Sequence, residues 1–161
     1  MLGVITLNKF EQLEQEAHDD NVKIHNYYLG EENLKGIYIN GHVAINTSVK
    51  NSAEKSCVLA EELGHHYTTV GDILDTNDLE NCKQEHKARF WAYNKQIGLD
   101  GLIDAYEHGC RSAHEIATYL EVTDKFLIDC VETYRSKYGE TITSGEYTIC
   151  FIPYLMIMKK I

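Results

Sequence analysis

Glu61-Glu62-Leu63-Gly64-His65-His66 is the stretch on which the reading of this chain turns. Glu61 and His65 are four residues apart, so on a helix their side chains share one face about one turn apart. This is the spacing of the helical zinc motif H-E-x-x-H, with Glu61 standing where the first histidine would be. Glu62 occupies the place of the general base that activates water beside the metal. A carboxylate oxygen also binds zinc, so Glu61 and His65 form a candidate ligand pair. The pairings of Glu62 with His65 or with His66 are alternative chelating registers. His66 lies roughly 100° around the helix from His65.

The surroundings of the motif favour a buried setting. Cys57 to Leu63 is apolar except for Glu61 and Glu62, and carboxylates on a core-facing helix need partners, of which a metal is one. Gly64 costs about 1 kcal/mol in a helix interior, which points to close approach by another backbone or a ligand. The helix spans 52–68 with Asn51 or Ser52 as its cap, and Val70-Gly71-Asp72 breaks it. After a loop over 73–80, a third helix over 79–98 carries Glu85 in the pattern Glu85-x-x-Ala88-x-x-Trp91-Ala92, closed by Gly98. Glu85 is there the best candidate for a third ligand, a carboxylate turned inward among small and apolar residues.

Upstream, Phe10, Leu13 and Ala17 mark an amphipathic helix over 8–20 with Asn8 as N-cap. A strand follows over 22–29. Two short strands, 35–39 and 42–46, flank Asn40-Gly41, a pair suited to the two positive-φ positions of a hairpin turn. Downstream come helices near 100–108, 112–121 and 123–138, then a strand-like tail over 146–158. Residues 113–134 have the outline of a helix-turn-helix, but the second helix sets Asp124, Asp129 and Glu132 against Lys125. A helix that reads DNA offers more cations to phosphate, so this segment reads as part of a helical lobe packing on the core.

Global properties narrow the function classes. The chain has 161 residues, 43% apolar and 25% charged, with a formal net charge of −10, which disfavours nucleic acid and anionic membranes as direct partners. The five cysteines, Cys57, Cys82, Cys110, Cys130 and Cys150, form no C-x-x-C pair and suit free thiols in a reducing cytoplasm. No signal peptide opens the chain and no run is long enough to span a membrane. His18, His25, His42, His108 and His114 show no ligand spacing, and His86 reads as a surface residue. His42 would line the cleft if its strand were the edge strand beside the motif helix. Tyr67 and Tyr93 are candidate oxyanion donors, and Cys57 reads as core.

Several segments together resemble the ImmA/IrrE family of metallopeptidases: Leu34 to Ile39, Ala44-Ile45-Asn46, Ala53-Glu54-Lys55, Leu59 to Thr68, Gly71-Asp72-Ile73, and Lys83-Gln84-Glu85 to Trp91-Ala92. The likeness runs from about residue 20 to 138, with a weaker match around Tyr147 to Tyr154. It implies an α+β architecture: a minimal zincin-like domain with a small antiparallel-containing sheet, an active-site helix and a helical C-terminal lobe. The expected division is a catalytic core over 1–98 and a lobe with a strand-like tail over 99–161, packed as one unit. The resemblance implies Glu62 as general base, with His65 and Glu85 as metal ligands beside Glu61. It also implies that the protein cleaves, or otherwise inactivates, a helix-turn-helix repressor of a phage or mobile element. The departure is Glu61: a Glu/His/Glu set is harder than one with two histidines, so the expected ion is zinc, or manganese or another divalent metal. The alternative is an inactive antirepressor that binds the repressor without cutting it.

Overall fold

The computed structural model describes residues 6–30, 33–68 and 78–160. Its elements run α1 (Lys9–Asp19), β1 (Lys23–Tyr27), β2 (Gly36–Ile39), β3 (His42–Asn46), α2 (Ser52–Thr68), α3 (Asp78–Gln96), α4 (Gly98–Glu107), α5 (Ala113–Tyr119), α6 (Asp124–Tyr138), β4 (Thr141–Ser144), β5 (Tyr147–Cys150) and β6 (Met156–Lys159). The content is mixed α+β, as expected. The break at 70–72 and most of the loop expected over 73–80 lie outside the described residues. The chain divides into two compact units, Met1–Ala92 and Tyr93–Ile161.

In the first unit, α1 is opened by a reciprocal capping box. Asn8 Oδ1 accepts the Glu11 N–H and Glu11 Oε2 accepts the Asn8 N–H, both at 2.9 Å. Asn40 (φ 47°) and Gly41 (φ 80°) form the β2–β3 turn, both in the left-handed region that the Asn-Gly pair predicts. The sheet order is β1-β3-β2, with β1 parallel and β2 antiparallel to β3. Hence β3 is the central strand and β2 is an edge. Val43 and Ile45 of β3 are fully buried and, with Leu13, Ala17, Val58, Leu59 and Leu63, form the core between the sheet and the helices α1 and α2. Asn51, one of the two expected caps, opens α2: its Oδ1 accepts the Glu54 N–H at 3.2 Å.

The second unit holds more sheet than expected. The strand-like tail is there, but it belongs to a three-stranded antiparallel meander, β4-β5-β6. Strand β4 escapes a reading by pattern because four residues, Thr141 to Ser144, give too short an alternation, and its turn through Gly145 (φ 56°) lacks the Asn-Gly signature. Helices α5 and α6 pair through buried Ile116, Ala117, Leu120, Phe126 and Leu127, and Ser112 and Thr123 cap them. Gly98 (φ 62°) stands just past the end of α3, in the terminating role expected of it, and α4 begins at the same residue. None of the five cysteines is in a disulfide, and only Cys82 is exposed. Among the described residues no helix is long and apolar enough to cross a membrane.

Candidate active site

The site is built where α2 meets β2 on one side and α3 on the other. Gly64 governs the second contact. A Cβ added there would stand 2.3 Å from the carbonyl oxygen of Ala88, which is far inside contact distance. The absence of a side chain therefore lets α2 reach the backbone of α3, the close approach that a glycine in mid-helix predicts. One residue on, His65 Nε2 lies 3.2 Å from Glu85 Oε1. The other oxygen of Glu85 is 3.7 Å from the Arg89 guanidinium, one turn further along α3. Glu85 thus reaches His65 from a half-exposed position, its side chain 52% accessible, rather than from the buried face suggested by Ala88 and Ala92.

Glu62 faces β2. The backbone N–H of Tyr38 donates to its carboxylate, which the geometry of an edge strand permits, because among the described residues no strand pairs with Tyr38 on that side. Gly36, two residues earlier, clears the space. A Cβ there would stand 2.6 Å from Val58 Cγ1 and 2.9 Å from Glu62 Oε1. Burial, followed by the charges of Glu61 and Glu85, pushes the Glu62 carboxyl up to about 8, with the Tyr38 N–H opposing the rise. These repulsions show that Glu61, Glu62 and Glu85 crowd one region.

Tyr38 has a second task. Its hydroxyl accepts the Gly41 N–H at 3.0 Å and shares a 2.8 Å hydrogen bond with His66 Nδ1. His66 is thereby held by the hairpin, its ring edge-on to both Tyr38 and Tyr67. Gly36, Tyr38 and Arg89 were not singled out from sequence. A glycine inside a strand was the available signal for Gly36, and the i, i+4 acid–base pair was the signal for Arg89. Nothing local announces Tyr38, whose side-chain partner His66 and backbone partner Glu62 lie far along the chain.

The condition set for His42 is not met, and two expectations need correction. His42 does not line the cleft, because β3 is the central strand and His42 is exposed beside His25. Tyr67 is not a free oxyanion donor: its hydroxyl is bonded to the Asp20 carboxylate, its ring stacks on Trp91 at 4.8 Å, and its acidity is depressed by desolvation and that hydrogen bond. Tyr93 is buried against Phe126 in the second unit, with its ring engaged edge-on. His86 is exposed and Cys57 is core, as read from sequence.

The residues can be tested against a metal. Two ligands, each about 2.0–2.2 Å from a tetrahedral zinc, stand roughly 3.4 Å apart. The 3.2 Å between His65 Nε2 and Glu85 Oε1 fits two such vertices, and the crowding of carboxylates around Glu62 is the complement of a cation. Among the described residues, however, no group of three or more His, Cys, Asp or Glu side chains is arranged to hold an ion. The fit is that of a two-ligand edge, with Glu61 one turn before His65 on the same helix.

Helix α2 thus carries a half-buried carboxyl, shifted towards its protonated form, beside an imidazole–carboxylate pair and flanked by the edge strand of a small sheet. Residues 13–128 match the Peptidase_M78 family, described as the IrrE N-terminal-like domain. The chain belongs to this family, whose function is of the metallopeptidase type. The match covers the first unit from α1 onward and extends into α6. No curated protein and no solved structure matches significantly.

Proposed function

We propose that the protein is a metal-dependent peptidase of the ImmA/IrrE type that acts in the cytoplasm and cuts a helix-turn-helix repressor encoded by a phage or mobile element. The single observation that carries the reading is the conjunction of Glu62, half-buried and held by the Tyr38 N–H, with the His65–Glu85 pair on the adjoining helices. His65 and Glu85, with Glu61, would hold a divalent cation, zinc or manganese. Such an ion polarises a peptide carbonyl and lowers the pKa of water when bound.

The chain's own contribution is proton handling. Glu62 takes a proton from the attacking water at its carboxylate and delivers it to the leaving amine nitrogen. The Tyr38 N–H fixes the orientation of that carboxylate, and the desolvation that raises its affinity for protons suits a group that must both accept and release one near neutral pH. Among the described residues, the edge of β2 that pairs with no strand lies next to Glu62. On the partner side, Lys125 of α6 is paired with Asp129 and Arg135 with Glu132, so these cations already have carboxylates nearby. That supports a protein substrate over DNA.

The test is incubation of the purified protein and its Glu62→Gln variant with the neighbouring repressor, with zinc or manganese added. Cleavage by the wild type and none by the variant is the expected result. An uncut repressor that nevertheless binds both proteins would replace this reading with that of a non-catalytic antirepressor.

A further inference from the structure

Away from α2 and α3, the structure brings together two histidines that lie 17 positions apart in sequence. On β1 and β3 the register pairs Lys23 with His42, His25 with Ala44 and Tyr27 with Asn46. Val43 and Ile45 turn into the core, so His42, and His25 with it, project from the opposite face of the sheet. His25 Nε2 and His42 Nδ1 are 3.0 Å apart, and the rings are stacked with 13° between their planes. His42 is exposed and His25 partly so. A hydrogen bond between two ring nitrogens requires one of them to carry a lone pair, so at least one ring is in its ligating form.

We propose that His25 and His42 are a metal site separate from the peptidase centre: a solvent-facing pair of imidazoles that chelates a late first-row divalent ion such as Cu²⁺ or Ni²⁺, with water completing the coordination. Two nitrogens about 2.0–2.1 Å from one ion and at right angles stand roughly 2.9 Å apart, the tetragonal arrangement these ions favour. The observed 3.0 Å matches that spacing. The strand pairing fixes both backbones, and the two rings must turn from their stacked arrangement to converge their lone pairs on one ion. Imidazole selects Cu, Ni and Zn over Mg and Ca, and among these the order of affinity favours Cu²⁺. The site uses no residue of α2 or α3 and stands whether or not the peptidase reading holds.

The experiment uses the full chain carrying His65→Ala and Glu85→Ala, which leave Glu61 as the one remaining ligand of the three assigned to the peptidase centre. Cu²⁺ is titrated by calorimetry and the bound ion is examined by electron paramagnetic resonance. One Cu²⁺ per chain with a two-nitrogen hyperfine pattern is expected. Adding His25→Ala or His42→Ala should weaken binding by at least the roughly 10–100-fold that loss of even an outer-shell partner costs, and reduce the pattern to one nitrogen. His18→Ala, at another exposed histidine, should change neither. Unaltered affinity in both His25→Ala and His42→Ala, or equal weakening in His18→Ala, would overturn the proposal. Paramagnetic broadening of amide resonances by Cu²⁺ in the His65→Ala/Glu85→Ala background needs no change at the histidine pair. It should centre on 23–27 and 42–46, and broadening centred elsewhere would equally overturn the site.

Discussion

At the scale of single residues, Glu62 sets the sharpest expectation. In the metal-free protein its carboxyl should titrate near pH 8, well above an ordinary glutamate, and carbon-detected NMR reads this directly. Glu61→Gln removes one of the repelling charges and should bring the midpoint down. The sign for stability follows by linkage. Between the unfolded value near 4.5 and the folded value near 8, the folded chain holds a proton that the unfolded chain has lost. Stability therefore falls as pH rises through that window. The loss is on the order of a few kcal/mol after discounting for partial exposure. Denaturant melts of the metal-free protein from pH 5 to pH 8 should show this decline, and Glu62→Gln should flatten it. Tyr38→Phe tests a different contact. It strips the Gly41 N–H and His66 Nδ1 of a shared hydroxyl, a loss of about 1–2 kcal/mol in urea denaturation. The Tyr38 backbone N–H still reaches Glu62, so the Glu62 titration should stay in place. A large shift there would mean that the ring, and not the strand, positions the carboxylate.

At the scale of elements, two glycines decide whether the helix and its neighbours can assemble the site. Gly64→Ala places a methyl group against the Ala88 carbonyl, and overpacking of that kind costs about 1–3 kcal/mol, more than the gain in helix propensity returns. Gly36→Ala meets Val58 and Glu62 instead, so it should displace the Glu62 carboxylate and return its titration towards the ordinary range, with a smaller loss of stability if Glu62 gives way. The same elements show what pattern reading reaches. Helix α2, its Asn51 cap, the Asn40-Gly41 turn and the meaning of Gly64 all depend on residues within a few positions of one another, and all are legible. The parallel pairing of β1 with β3, the hold of Tyr38 on His66 and the meeting of His25 with His42 join residues far apart in sequence, where no local preference speaks. Glu85 is intermediate: its place on α3 can be read, but its half-exposed reach to His65 and its tether to Arg89 follow from how two helices cross.

At the scale of the whole molecule, ligand linkage offers a check that does not depend on finding a substrate. An ion that binds only the folded chain raises its melting temperature as concentration increases. Zinc or manganese should therefore stabilise the wild type, and Glu85→Ala or His65→Ala should reduce the effect. Equal shifts in all three proteins would place the ion elsewhere. The crossing of α2 and α3 also bears on which sequences can carry this site at all. A tight contact between two side chains can be relieved by shrinking either partner, so such positions vary together. At Gly64 the obstacle is the Ala88 carbonyl oxygen, which every residue type retains. No replacement at 88 can make room for a side chain at 64. A genetic search for suppressors of Gly64→Ala should return no compensating exchange at 88, only changes that move one helix relative to the other.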